Sequence, residues 1–381
     1  MTVELETPLD VVVVGGGQAG LAVGYQLRQL GLRFVILDAG RDVGHVWRSR
    51  WDSLALFTPA QYSGLPGMDF PGDRDTYPSR DDVATYLQTY ASAFDLPVRP
   101  NARVTSLAKD HDGYVVATQS EVLHTSQVVV ATGPFQAPFI PAVAGGLDAA
   151  VVQIHSAHYR SPAQLPAGSV LVVGGGNSGF QIAEELAATR TVDLAIGTRM
   201  PALPQRLLGR DLFWWLSHLG IMGVSVESRV GRKMAQRDVL IGSSKRRLHR
   251  AGVTFKKRLE RAAGRRAVFA DESHLDVDAV VWATGYRPDF SWIDVSGVTD
   301  EKGRILHRRG VTAAPGLYFV GLPWQHTRGS ALLGFVREDA EFIAQTIDAS
   351  AEDKVQPSGP SGSGRLVPTA ARPHHNASPS R

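Results

Sequence analysis

Hydrophobic residues in this chain fall into short, dense runs. Val11-Val12-Val13-Val14, Phe34-Val35-Ile36-Leu37, Gln127-Val128-Val129-Val130 and Val170-Leu171-Val172-Val173 are four, and Val192 to Ile196, Val280-Val281-Trp282 and Leu317-Tyr318-Phe319-Val320 continue the series. Apolar side chains at successive positions suit strands covered on both faces, as in a parallel sheet. Helical spacing lies between the runs, over Leu21 to Leu30, through Val83, Leu87, Tyr90 and Phe94, over Phe180 to Ala188, and through Phe335, Ala340, Ile343 and Ile347. Ser79 ahead of Asp81 and Asp82 marks a helix start. Weaker alternation through Val104, Tyr114 to Thr118 and Val122-Leu123 predicts a small antiparallel insertion. Strand and helix alternating in this way predict an α/β fold.

Glycines refine that prediction. Val11 to Val14 runs into Gly15-Gly16-Gly17-Gln18-Ala19-Gly20, a helix follows, and the next strand ends at Asp38. This is the GxGxxG unit of a dinucleotide-binding domain. Gly15 permits the tight turn, Gly17 lets a pyrophosphate approach the backbone, and Gly20 lets helix and strand pack closely. Asp38 can accept hydrogen bonds from a ribose diol. A second unit, Gly174-Gly175-Gly176-Asn177-Ser178-Gly179, follows Val170 to Val173. There Thr198-Arg199 is read at the place of Asp38, and an arginine fork can take a ribose 2′-phosphate, which predicts NADPH. Arg206 or Arg210 could share or take over that role.

The two units repeat coarsely, since each leads to Ala-Thr-Gly, at Ala131-Thr132-Gly133 and at Ala283-Thr284-Gly285. After Arg287 one good strand, ending at Gly321, and one helix remain, enough to complete a sheet begun at residue 11. The expected fold is α/β, with two nested Rossmann-like dinucleotide-binding domains, parallel sheets and small antiparallel insertions. Residues 1–165 and 288–350 form the discontinuous FAD-binding domain, 166–287 the NADPH-binding domain, and 351–381 a flexible tail. The loop-like stretch Ala39 to Ser79 is long enough to imply that it lines a site. The run Pro201 to Leu248 reads as an insertion carrying an amphipathic helix over Gly209 to Trp215, with Trp214 and Trp215 packing in a core or between domains.

Composition narrows the chemistry. The 381 residues are 43% hydrophobic and 20% charged, enough for two ordinary cores. The formal net charge of +3 is spread along the chain, unlike the concentrated charge of a nucleic-acid binder. No cysteine is present, which excludes disulfide scaffolds, thiolate metal sites and redox-active CxxC pairs; no metal site is expected. Met1 to Asp10 carries three acids and leads directly into the first strand, and no apolar run is long enough to cross a membrane. A soluble cytoplasmic protein is expected, with neither nucleic acid nor membrane as partner, and a homodimer is admitted. FAD in the acid-bearing unit and NADPH in the base-bearing unit would place a nicotinamide against a flavin. Electrons then leave to oxygen, a quinone, a metal centre or another protein.

These motifs resemble the class B flavoprotein monooxygenases, the group of flavin-containing and indole-3-pyruvate monooxygenases. The likeness spans roughly residues 8 to 348. It rests on both GxGxxG units, Gly44-His45-Val46-Trp47-Arg48, Tyr86 to Ala91, Ala283 to Asp289 and Gly316 to Gly321. The resemblance implies FAD reduced by NADPH, a C4a-(hydro)peroxyflavin formed with O2, and oxygen transfer to a small substrate: a sulfide, an amine or a 2-oxo acid. It implies FAD held by Gly15, Gly17, Gly20 and Asp38, with Trp47 and Arg48 near the flavin, and Thr132, Gly133 and Gly321 beside the cofactor. NADPH would be held by Gly174, Gly176, Ser178, Gly179 and Arg199, with Thr284 and Gly285. The family's FxGxxxH linker survives in its second half, where His155, Ser156 and Tyr159 remain but Ala149 and Val151 replace the Phe and Gly. His155 would position the domains and Tyr159 accompany it. Gln325 or His326 could touch ring or substrate, with loop capping the alternative. Thr58-Pro59 stands where the family carries Thr-Asn. Two rival readings remain: a cysteine-free NAD(P)H:acceptor oxidoreductase feeding a quinone or partner protein, and a non-catalytic nucleotide sensor.

Overall fold

The computed structural model describes residues 9–111, 113–198, 200–236 and 239–355. The chain builds β1 (Leu9–Val14), α1 (Gln18–Gln29), β2 (Phe34–Leu37), α2 (His45–Arg48), α3 (Arg80–Ala93), β3 (Val98–Arg99), β4 (Val104–Asp110), β5 (Gly113–Thr118) and β6 (Val122–Val130). β1 lies between β2 and β6, parallel to both, and β3 extends the sheet beyond β2. β4, β5 and β6 form the antiparallel insertion expected from their alternation. The side-chain period of a strand explains why β1 is wholly apolar. Val11 and Val13 enter one core and Val12 and Val14 the core on the opposite face, each 0–4% exposed.

From β6 the chain crosses over Ala137–Pro138 into a second sheet. Among the described residues its five strands are all parallel, in the spatial order Thr254–Lys256, Thr191–Ala195, Ser169–Val173, Ala279–Trp282 and Val152–His155. α4 (Asn177–Ala187) packs on it through Phe180, Ile182, Ala183 and Leu186. The return crossing, Tyr286–Arg287, pairs antiparallel with Ala137–Pro138, so the two passages between sheets are hydrogen-bonded to each other. Back in the first sheet, Leu317–Phe319 joins β6 in parallel and Ile293–Asp294 joins β4. The second unit is therefore inserted in the first, as the repeated Ala-Thr-Gly implies.

The closing helix, Arg337–Val355, lays Ala340, Ile343 and Ile347 into the core shared with α1. It continues into the segment expected to be tail; residues 356–381, with His374 and His375, lie outside the described residues. The insertion's helix spans Leu212–His218 rather than starting at Gly209, because Asp211 caps it by accepting from Phe213 N–H. Its Phe213 meets Phe57, Tyr62 and Phe335, so the 39–79 loop, the insertion and the loop after residue 321 share one aromatic cluster. No described helix is long and apolar enough to cross a membrane.

Candidate active site

The two glycine turns are built alike, and sterics show why each glycine is needed. A Cβ on Gly15 (φ +110°) would lie 2.6 Å from the Ala131 carbonyl oxygen, and one on Gly174 (φ +136°) 2.1 Å from that of Ala283. A Cβ on Gly20 would meet the Gly15 oxygen at 1.8 Å, and one on Gly179 the Gly174 oxygen at 2.1 Å. Those four glycines seat each helix on its strand. Gly17 and Gly176 differ from them, for a Cβ there meets nothing within 4 Å. Both are helix N-caps without a side-chain cap, and the first turns of α1 and α4 carry no acid. α3, by contrast, is closed by a Ser79–Asp82 capping box with Asp81 and Asp82 in its first turn. Free N–H groups facing open space at the positive end of a helix fit a diphosphate.

The rims differ. The Asp38 carboxylate accepts from Gly16 N–H at 2.5 Å and from Gly40 N–H at 2.6 Å, which fixes it at the end of β2 with lone pairs to spare for a ribose diol. In the second unit Gly174 N–H bonds the Ala195 carbonyl, as Gly15 N–H bonds that of Leu37. The residue equivalent to Asp38 is thus Ile196. A Cβ on Gly175 would meet the Ile196 side chain, as one on Gly16 would meet Asp38. This corrects the reading of Thr198-Arg199 as the equivalent place, since the count from Gly174 reaches Ile196 two residues before Thr198. The acid is lost all the same. Arg199 itself lies outside the described residues. Arg258 reaches the neighbouring Gly197 carbonyl at 3.4 Å, a cation that sequence spacing could not reveal because it comes from beyond the adjacent strand. Arg206 bonds Gly209 within its own hairpin, and Arg210 lies over the Trp214 ring. Ser178 sits in the first turn of α4.

Beside the first cradle, Gly44 (φ +82°) starts α2, where a Cβ would strike Ala84. Trp47 Nε1–H points at Gln18 Oε1, 3.4 Å away, so it borders the start of α1. Arg48 turns back on its own loop, donating to Asp42 and to the Val43 carbonyl, both at 2.5 Å. Gln136 donates to Thr132 Oγ1 and the Gly133 carbonyl and accepts from Asp289 N–H, tying β6 to the returning chain. Thr284 donates to the Phe139 carbonyl. Gly321 (φ +85°) approaches Ala19 so closely that a Cβ would be 2.7 Å from it.

His155 ends the edge strand of the second sheet and is 2% exposed. Its Nδ1 accepts from Ala157 N–H at 3.1 Å, so the proton rests on Nε2, which donates to the Gly285 carbonyl at 3.0 Å. Its ring stands edge-on to Tyr286, whose hydroxyl accepts from Arg50. The histidine therefore joins the edge strand to the crossing. Burial lowers its pKa, only partly opposed by the Gly285 carbonyl. A folded pKa below the unfolded value means that stability is full above the ordinary histidine range and falls as pH drops through it. Unfolding free energy should decline as pH falls below about 6.5, the ordinary histidine value. His155→Gln should flatten that decline in denaturant titrations repeated across pH.

Tyr159 and Gln325, read as site residues from the sequence, both make hydrogen bonds within the fold. Tyr159 is fully buried in the core of the second unit and donates to Glu185 Oε2 at 2.7 Å. Tyr159→Phe should cost about 1–3 kcal/mol of stability, the worth of a hydrogen bond to a charged group, with turnover unchanged. Gln325 is 2% exposed and spends its amide on its own loop, donating to the Phe319 carbonyl and accepting from Leu322 N–H. Neither residue faces open space.

Two nested dinucleotide folds with twin diphosphate cradles define a pyridine-nucleotide flavoprotein architecture. A family model of the pyridine nucleotide-disulphide oxidoreductases matches residues 12–201. The chain is 46% identical over 341 residues to an oxidoreductase of Geobacillus kaustophilus named CzcO-like, covering 89% of this chain and 98% of that one. It is 27% identical over 380 residues to the probable indole-3-pyruvate monooxygenase YUCCA8 of Arabidopsis thaliana, covering 88% of each. Among solved structures, a flavin-containing monooxygenase from Stenotrophomonas maltophilia superposes with a TM-score of 0.76 at 29% identity, over 90% of this chain and 99% of that one. The chain belongs to the CzcO-like oxidoreductases, within the class B flavoprotein monooxygenase family, and is an enzyme.

Proposed function

We propose that this chain is an NADPH-dependent FAD monooxygenase that oxygenates a small sulfide, amine or 2-oxo acid. The cofactors are FAD and NADPH. A flavin held in this chain would supply hydride acceptance from the nicotinamide and the activation of O2. The first unit, made of the segments before the crossing and after the return, holds FAD at Gly15, Gly17, Gly20 and Asp38, with Trp47 and Gly321 at its edges. The second holds NADPH at Gly174, Gly176, Ser178 and Gly179, with Arg199 and Arg258 as the cations assigned to the 2′-phosphate. His155 fixes the crossing between them. The observation that carries this reading is the pair of open cradles, one rimmed by Asp38 and the other by Ile196 in its place. The absence of cysteine supports oxygen over a thiol relay as the route by which electrons leave. Rapid mixing of the NADPH-reduced holoenzyme with O2 tests the reading. A peroxyflavin transient before reoxidation is the expected result, and direct reoxidation without it would mark an acceptor reductase.

A further inference from the structure

The insertion carries a hairpin whose surface has no part in either cradle. Arg206–Leu207 pairs antiparallel with Arg210–Asp211, and Leu208-Gly209 forms the two-residue tip. Both tip residues have positive φ, +49° and +77°, the geometry of a type I′ turn, which favours Asn-Gly. A branched leucine held there is conformationally disfavoured, yet it is 83% exposed, beside Leu207 at 47%. The following helix adds Leu219, 65% exposed, and two tryptophans. Trp215 Nε1–H donates to the Leu207 carbonyl, fixing the hairpin to the helix, and Trp214 lies between His218 and the Arg210 guanidinium.

The exposed charges of the hairpin itself are basic. Arg206 and Arg210 flank the tip, and neither has an ion-pair partner among the described residues. The one acid of the hairpin, Asp211, is buried, and its carboxylate accepts from Tyr77, Gln205 and Phe213. Leucines at a convex tip, tryptophans behind them and arginines beside them match the layered chemistry of an anionic lipid surface. A protein partner would need a broad patch, about 800 Å² on each side, where this hairpin offers a two-residue point.

We propose that the 206–210 hairpin docks this enzyme on an anionic lipid surface, with Leu207 and Leu208 entering the headgroup layer and Arg206 and Arg210 meeting its charge. This departs from the expectation of no membrane partner, which rested on the lack of a spanning run; a peripheral contact needs none. The proposal is independent of the oxygen chemistry. Its test is co-sedimentation of the FAD-loaded full chain with vesicles of phosphatidylglycerol and phosphatidylcholine, or of phosphatidylcholine alone. Binding is expected to the mixed vesicles and to weaken in high salt. Leu208→Asn should weaken it about tenfold by removing one inserted leucine, with thermal stability kept or raised because Asn-Gly suits the turn. Leu207→Ser should act likewise. Wild-type protein left in the supernatant, equal pelleting with phosphatidylcholine alone, or undiminished binding by Leu208→Asn would overturn the proposal. So would light scattering in which Leu208→Asn turns a dimer into a monomer, for the surface would then belong to a second copy.

Discussion

Gly17→Ala is expected to give a folded protein that no longer retains FAD, while Gly176→Ala stays yellow and loses reduction by NADPH. The added methyl meets no protein atom at either position, so the apoprotein keeps its packing. The cost to stability is that of Ala for Gly at a helix N-cap, about 1 kcal/mol or less. The methyl does occupy the space into which a diphosphate must come. Losing two hydrogen bonds to a charged group costs about 3 kcal/mol or more, roughly a hundredfold in affinity. Equilibrium binding of FAD to the first variant and of NADPH to the second checks the assignment. Gly20→Ala would be less informative, because its Cβ would overlap the Gly15 carbonyl and unseat the helix itself.

Ile196→Asp is expected to turn the enzyme from NADPH toward NADH. The register of the second sheet puts Ile196 where the first unit has Asp38, and the side chain is only partly covered, so a carboxylate can be accommodated. There it would accept from the adenosine ribose diol and repel a 2′-phosphate. A repulsion of about 1.4 kcal/mol raises the KM for NADPH about tenfold. The KM for NADH should stay level or fall. Steady-state kinetics with both nucleotides read the ratio, and a parallel change in the two would remove Ile196 from that role.

Much of this was legible in the sequence because it follows from short-range sterics. In GxGxxG the first glycine stands where a Cβ would overlap a carbonyl beyond the neighbouring strand and the third where it would overlap the first glycine's own carbonyl, and runs of valine mark strands covered on both faces. The nesting was legible too, since Ala-Thr-Gly occurs twice and one strand with one helix remained. Side-chain partners were harder, for they depend on segments distant in the chain. Tyr159 reads as a linker residue, but Glu185 on α4 takes its hydroxyl. Gln325 follows the last strand, where a ring contact is plausible, yet its amide donates back to the Phe319 carbonyl at the end of that strand. The misplaced Asp38 equivalent has a simpler cause: the strand ends at Ala195, and only the hydrogen bond from Gly174 fixes where the count begins. His155 was recognisable by its motif, but its partner Gly285 became visible only once the two crossings were seen to pair.

One chain passing hydride from a nicotinamide in the Gly174–Gly179 cradle to a flavin in the Gly15–Gly20 cradle is the centre of the account. Anaerobic titration of the FAD-loaded enzyme with NADPH tests it most directly. Stoichiometric bleaching of the oxidised-flavin band is the predicted result; a protein that takes up no FAD, or a bound flavin that stays oxidised under excess NADPH, would contradict it.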